Sequence, residues 1–203
     1  TPVLMGRLEL NDVLQAIVIQ AARMMDTLDG YIYLVEPGDT ALRVEIGIGI
    51  FEQYKNFNLK RGEGVAGKVW ETGQSLVVED YQTWAGRSNV FNTIPFHSVV
   101  GIPLKSGTKV SGVIGLSHRE SGRVFSEEDV EFLTRFAEFA SIALENARLH
   151  TLVQRELTAR NKAEATLRQI TDNMQDIITQ IGPDGIILYA SPSHKWVLGL
   201  DPN

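Results

Sequence analysis

The sequence predicts an α+β fold: an antiparallel sheet flanked by N- and C-terminal helices, continued by a long helical linker and the first hairpin of a second β unit. Three observations carry this expectation. Apolar residues recur at helical spacing near the start and again from Phe132 to Ala147, β-rich runs come in pairs joined by short turns, and no Gly or Pro occurs between Gly122 and Gly182.

The elements follow in order. Leu10, Val13, Leu14, Ile17, Ala21, Met24 and Met25 make one apolar stripe on a helix from about Leu8 to Asp26, and that stripe needs a sheet to lie on. Tyr31 to Glu36 (YIYLVE) and Leu42 to Gly47 (LRVEIG) are separated by Pro37-Gly38-Asp39-Thr40, whose Pro and Gly supply the angles of a turn, so they read as an antiparallel hairpin. Ser98 to Leu104 (SVVGIPL) and Val110 to Ser117 (VSGVIGLS), joined around Ser106-Gly107, read as a second. Gly112 and Gly115 inside that strand favour a bulge or the close approach of another backbone over a ligand role.

The best-signposted element starts at Glu127. Ser126 serves as N-cap with Asp129 reaching back in a capping-box arrangement, and Phe125 and Val130 can close a hydrophobic staple. Phe132, Leu133, Phe136, Phe139, Ala140, Ala143, Leu144 and Ala147 then form the buried stripe. Between Thr151 and Met174 the composition shifts to Gln, Arg, Glu, Lys and Ala, with Val153, Leu157, Leu167 and Met174 on a roughly heptad register. The seam positions Arg160, Glu164 and Thr171 are polar, so a parallel dimeric coiled coil and a solvated single helix both stand. A helix from Glu127 to Met174 would extend on the order of 70 Å at 1.5 Å per residue. After it, Ile177 to Ile181 and Ile186 to Ala190 flank Gly182-Pro183-Asp184-Gly185 as a third hairpin, and Ser191-Pro192 opens a short helix toward Gly199. The chain begins without an initiator Met and stops soon after fresh strand signals, so a downstream signalling or catalytic domain is expected outside it.

Composition narrows the function. With 203 residues, 43% hydrophobic and 22% charged, the chain has material for one core and part of a second. A formal net charge of -6 argues against nucleic acid, which demands clustered Lys and Arg. No apolar run approaches a membrane span and no signal peptide precedes the first helix, so a cytoplasmic segment without membrane contact is expected. The absence of Cys removes disulfides, thiolate metal sites, cysteine nucleophiles and thioether-linked chromophores together. The four His residues show no metal-site spacing, and no nucleophile, base and orienting group come together, so neither a metal nor a catalytic residue is expected.

Gly62, Gly64 and Gly67 form G-x-G-x-x-G, a pattern shared with dinucleotide-binding loops. Here Phe57 to Arg61 is a poor buried parallel strand, Gly73 ends the following helix after little more than two turns, and the neighbouring hairpins are antiparallel. The glycines are better read as a tight entry into a short helix whose Val65, Val69 and Trp70 pack on the sheet.

With Gly62, Gly64, Gly67, Gly73 and Asp80, then Ile102-Pro103-Leu104, Gly112-Val113-Ile114-Gly115 and Phe125-Ser126 in this order, residues 1–150 resemble a GAF domain. Residues 151–174 read as its helical coiled-coil linker. Residues 175–203 resemble the truncated start of a PAS domain, through Asp184-Gly185-Ile186, Ser191-Pro192-Ser193 and Leu198-Gly199, with Ser191 where that family often has Asn. The resemblance implies a regulatory sensor of a bacterial multi-sensor signal-transduction protein. Its pocket wall would come from Asp80 to Ser98, where Tyr81, Trp84, Phe91 and Phe96 stand beside Asp80, Arg87 and His97; Tyr33 and Trp70 complete the pocket candidates. Aromatic walls with few polar groups suit a small organic ligand of unknown identity, with Arg87 able to meet an anion. The same aromatics could instead plug the cavity.

Cyclic-nucleotide-binding relatives carry an Asn-Lys, Phe, Asp-Glu signature, whereas here Asp129 is followed by Val130. Bilin-attaching and methionine-sulfoxide-reducing relatives depend on Cys, so covalent bilin attachment and that reduction are excluded. His150 lacks the acidic residue that follows a sensor kinase's phosphorylated His. What remains is a non-catalytic sensor segment that relays its state through a parallel homodimeric C-terminal helix. The implied output is a histidine kinase, with a diguanylate cyclase second, and the alternative is a ligand-free dimerisation scaffold.

Overall fold

The computed structural model describes residues 2–91, 94–173 and 179–190, and the chain divides into two units, Thr1–Leu149 and His150–Asn203. The first unit opens with helix α1, Pro2–Met24. Asp26 follows it in the left-handed region, which ends the helix. Strands β1 (Asp29–Val35) and β2 (Leu42–Ile48) form the expected hairpin, and a 3₁₀ turn at Gly49–Tyr54 leads to the short strand β3, Asn58–Leu59. Helix α2 (Gly64–Thr72) and strand β4 (Leu76–Val78) precede a long segment that returns to the hairpin of β5 (Ser98–Ser106) and β6 (Lys109–His118). The sheet runs β3-β2-β1-β6-β5-β4 and every pairing is antiparallel. This is the α+β architecture the sequence predicts.

Period-two alternation gives the sheet two buried faces, because both are covered. On one face Ile32, Ile46, Val100, Ile102, Leu104, Ile114 and Leu116 pack with Leu14, Val18, Ala21 and Ala22 of α1. The same core takes Leu133, Ala137 and Ala140 from the start of helix α3, Glu127–Asn173. On the other face Tyr31, Tyr33, Val44, Val99 and Val113 pack with Val65, Val69 and Trp70 of α2 and with the segment that follows β4.

The capping box forms as expected. The Ser126 amide donates to the Asp129 carboxylate at 2.8 Å, and the Asp129 amide donates to Ser126 Oγ at 3.2 Å. Two helix stripes are narrower than their periodicity suggests. Val13 and Met24 of α1 and Phe139 of α3 are exposed, Phe139 by 61%, while Val18, Ala22 and Ala137 are buried instead. The sheet touches only the central rows of each helix, and the flanking apolar rows face outward.

One buried charge ties the end of the sheet together. Asp29 accepts both Nε and a terminal nitrogen of Arg119 and the Ile50 amide at 2.9 Å, joining β1, the end of β6 and the 3₁₀ turn.

In the second unit α3 continues through His150 to Asn173 without interruption, and Val153, Leu157 and Leu167 are exposed on it. Strands β7 (Thr179–Ile181) and β8 (Ile187–Ala190) form an antiparallel hairpin closed by Gly182 N–H to Ile186 O at 2.7 Å. Met174, Ile177 and the expected helix opening at Ser191-Pro192 lie outside the described residues.

Candidate functional site

The glycine motif shapes one wall of the site. Gly62 and Gly64 have φ of 77° and 62°, and a Cβ on Gly67 would lie 2.5 Å from the Lys60 carbonyl oxygen, so the chain turns sharply into α2. The sheet beside the motif is antiparallel among the described residues, not doubly wound, and the motif does the structural work expected of it. The Gly64 amide donates to Gly86 O at 3.0 Å, which holds the segment between β4 and β5 against the start of α2.

That segment is fastened at several points. Ser88 Oγ donates to Glu63 Oε1 at 2.7 Å, and the Ser88 amide donates to the Tyr81 hydroxyl at 2.8 Å. Gln82 Nε2 reaches the carbonyls of Ile94 and Phe96 at 3.0 and 2.8 Å. At its two ends Asp80 accepts the Gln82 amide at 3.1 Å and faces His97 Nδ1 at 3.3 Å, while the Tyr81 amide donates to His97 O at 2.6 Å. The Gln82 amide, then Thr83 and His97, hold the Asp80 carboxyl below its ordinary range.

Between this segment, α2 and the sheet lies a cavity of about 20 Å³ lined by Tyr31, Tyr33, Phe51, Leu59, Gly64, Val65, Ala66, Tyr81, Phe91, Phe96 and Val99. Its aromatic rings pack edge to face: Phe51 lies 4.9 Å from Tyr31 and 6.1 Å from Phe91, and Tyr81 tilts on Phe96 at 4.7 Å. Gly115 pairs with Tyr31, and a Cβ there would overlap the Tyr31 ring, 2.6 Å from Cε2 and closer still to Cζ and the hydroxyl. Burial pushes the Tyr31 and Tyr33 hydroxyls well above the ordinary phenol value, and pushes Tyr81 in the same direction. All three therefore stay protonated.

Of the pocket candidates, Tyr33, Tyr81, Phe91 and Phe96 line this cavity. Trp70 is buried in the same core behind it, its ring covered by the Arg61 guanidinium at 4.8 Å. Trp84 stands outside Tyr81, ring centres 5.8 Å apart. Arg87 is exposed and donates to the Gln82 carbonyl, and Asp80 and His97 face each other at the surface. Tyr31 went unnoticed in the sequence although the alternation in YIYLVE places it beside Tyr33 on one face. Phe51 carried no comparable signal, because its direction is set by the 3₁₀ turn.

A larger open cleft, about 440 Å³, lies at the end of the sheet near Arg23, Asp26, Asp29, His118, Arg119 and Arg123. Most of its charges are paired within it, Arg119 with Asp29 and Arg123 with Asp26 and Glu120. Among the described residues no group of His, Asp and Glu could hold a metal ion, and no helix is long and apolar enough to cross a membrane.

Comparison with known proteins bears on both fold and site. A family model described as GAF domain matches residues 7–145. The Nif-specific regulatory protein of Azospirillum brasilense is 25% identical, the match covering 87% of this chain and 29% of that protein. The chain thus spans less than a third of that relative's length. Two solved GAF domains of phosphoenolpyruvate-protein phosphotransferases share the fold. The one from Coxiella burnetii has a TM-score of 0.64 at 18% identity, covering 74% of this chain and 94% of that one. The one from Acinetobacter has a TM-score of 0.62 at 22% identity, covering 70% and 85%.

Proposed function

The chain belongs to the GAF domain family, and from that premise we propose that it is the sensor segment of a cytoplasmic regulatory protein, binding a small molecule beneath the segment that joins β4 to β5. One observation carries the reading: consecutive residues of a single strand serve both faces of the sheet. Tyr31 and Tyr33 line the cavity, while Ile32 between them belongs to the core that holds α1 and the start of α3. A ligand that shifts the tyrosines therefore moves the surface on which α3 rests. Packed helices answer such a shift by changing between discrete arrangements.

Residues 151–174 then act as a parallel homodimeric linker. Exposed apolar residues along α3, among them Phe139, Ile142, Leu149, Val153, Leu167 and Ile170, follow spacings of three, four and seven or their multiples, and supply a seam for a second copy. Beyond it we place a PAS domain and an output domain, a histidine kinase first and a diguanylate cyclase second. The likeness to a Nif-specific regulatory protein supports a regulatory role without favouring either output. Asp80, Trp84, Arg87 and His97 act around the pocket, holding its covering segment or meeting the outer end of a ligand, while Trp70 supports it from the core behind.

A cavity of about 20 Å³ favours a second reading, because it has room for little more than one water, and a domain plugged by its own aromatics would serve as a dimerisation scaffold alone. A melting screen against a metabolite library separates the two. A ligand at a hundred times its Kd stabilises by about 2.7 kcal/mol, a shift of several degrees. A library without a single saturable stabiliser leaves the scaffold. Pairing is tested separately: Leu157→Glu with Leu167→Glu should give a monomer by light scattering, and an unchanged mass refutes the linker seam.

A further inference from the structure

The cavity on the α2 face has a chemistry that its apolar lining conceals. Tyr31 and Tyr33 are 3% and 1% exposed, both line the cavity, and neither hydroxyl has a hydrogen-bond partner among the described residues. Hydroxyls in an interior are ordinarily paired, and neither of these is among the fully buried unpartnered atoms, which among the described residues are Ser98 Oγ and Ser117 Oγ, so the two call for a partner that enters the cavity, a water or a ligand group. Tyr81 adds a third. Its oxygen accepts the Ser88 amide and its own proton remains to give, and it lies 3.4 Å from where a Gly64 Cβ would stand. Gly64, Val65 and Ala66, the first turn of α2, complete this wall, and the Val65 and Ala66 amides, as opening donors of a helix, have no carbonyl four residues back within it. The lining therefore offers neutral donors converging from two sides, and none of its residues is Lys, Arg or His.

We propose that this cavity takes the compact, singly charged oxyanion end of a small ligand, held by the Tyr31, Tyr33 and Tyr81 hydroxyls and the first-turn amides of α2. The inference rests on the sensing function proposed above and names the chemistry of its ligand. A monoanion fits because donors and a helix N-terminus can satisfy one negative charge, while a dianion would lose far more hydration than neutral donors return. A cation would find no acceptor-only group among the side chains of the lining. Anything larger than a water enters by displacing Phe91 or Phe96, both carried by the segment between β4 and β5.

The test titrates the whole protein with sodium formate, sodium acetate and sodium nitrate, using sodium sulfate and sodium chloride at matched ionic strength as controls, and follows the melting temperature and the heat of binding. The expected result is a saturable shift with at least one of the monoanions; formate or acetate marks a carboxylate ligand and nitrate an inorganic one. Tyr31→Phe and Tyr33→Phe should each weaken that binding by roughly tenfold to a hundredfold, as befits a hydrogen bond to a charged group. The protein without added monoanion should melt no lower in either variant. Shifts that equal those of sulfate, fail to saturate, or survive in both variants overturn the assignment. Should a metabolite screen yield only neutral or cationic stabilisers that bind the phenylalanine variants equally well, the oxyanion chemistry fails and sensing stands. Should no compound of any class bind, sensing itself fails.

Discussion

Placing a methyl group at Gly115 tests how the cavity is built. Gly115 pairs with Tyr31 across β1 and β6, and the Tyr31 ring lies where a Cβ would go, 2.6 Å from Cε2. Gly115→Ala must therefore push the ring away, yet the space in front of it is a cavity of only about 20 Å³. Overpacking of this kind costs about 1–3 kcal/mol. Moving the ring also disturbs its edge contacts with Phe51 and Tyr33, at 4.9 and 5.1 Å, each worth about 0.5–1.5 kcal/mol. Against this stands a gain of about 0.4–1 kcal/mol from a stiffer unfolded chain. The net expectation is a loss of about 2–4 kcal/mol, read from the urea midpoint at constant slope. In a Tyr31→Ala background the obstruction is gone, and Gly115→Ala should cost nothing or stabilise slightly. Additivity of the two substitutions within about 0.5 kcal/mol would refute the claim that the glycine exists to seat the ring.

Two further outcomes follow from local structure. Ser126→Ala removes the acceptor of the Asp129 amide at the head of α3 and should lower stability by about 1 kcal/mol in the same urea assay, whereas no change would show that the cap is made by other groups. His118 stacks on Phe125 at 4.2 Å, and burial, followed by Arg123, pushes its pKa below the ordinary 6.5. The unfolded chain thus binds a proton that folded His118 resists. Stability is intact above about pH 6.5 and falls as pH drops from there toward the folded value, a slope that His118→Gln should reduce when urea midpoints at pH 7.5 and 5.5 are compared. Equal slopes in the two proteins would overturn the assignment.

Features encoded within a few residues were legible. The turn at Pro37-Gly38, the capping box at Ser126 and the sharp entry at Gly62 to Gly67 each need particular residues at adjacent positions, and the backbone follows them. What depended on the width of a contact was harder. Phe139, Val13 and Met24 share the helical period of their buried neighbours but lie on rows that the sheet does not reach. The site was half legible: Tyr33, Tyr81, Phe91 and Phe96 line the cavity, and the expected approach of a backbone occurs at Gly112, against the Tyr33 carbonyl, whereas at Gly115 it is the Tyr31 ring that comes close. Arg87 shows why charge in a loop is a poor guide to direction, since its guanidinium is taken by the nearby Gln82 carbonyl. That Tyr31 and Tyr33 should share a cavity with the first turn of α2 depends on strand order and on the path of the segment from β4 to β5, neither of which a linear pattern contains.

The account stands or falls on whether the two faces of the sheet respond together. Methyl and aromatic NMR spectra recorded while the protein is titrated with the strongest stabiliser from the metabolite screen measure this directly. Resonances of Tyr31, Tyr33 and Tyr81 should shift in step with those of Ile32 and Leu133, with one saturation curve for both sets. Movement of the tyrosines over an unchanged Ile32 and Leu133, or no movement at all, would contradict it.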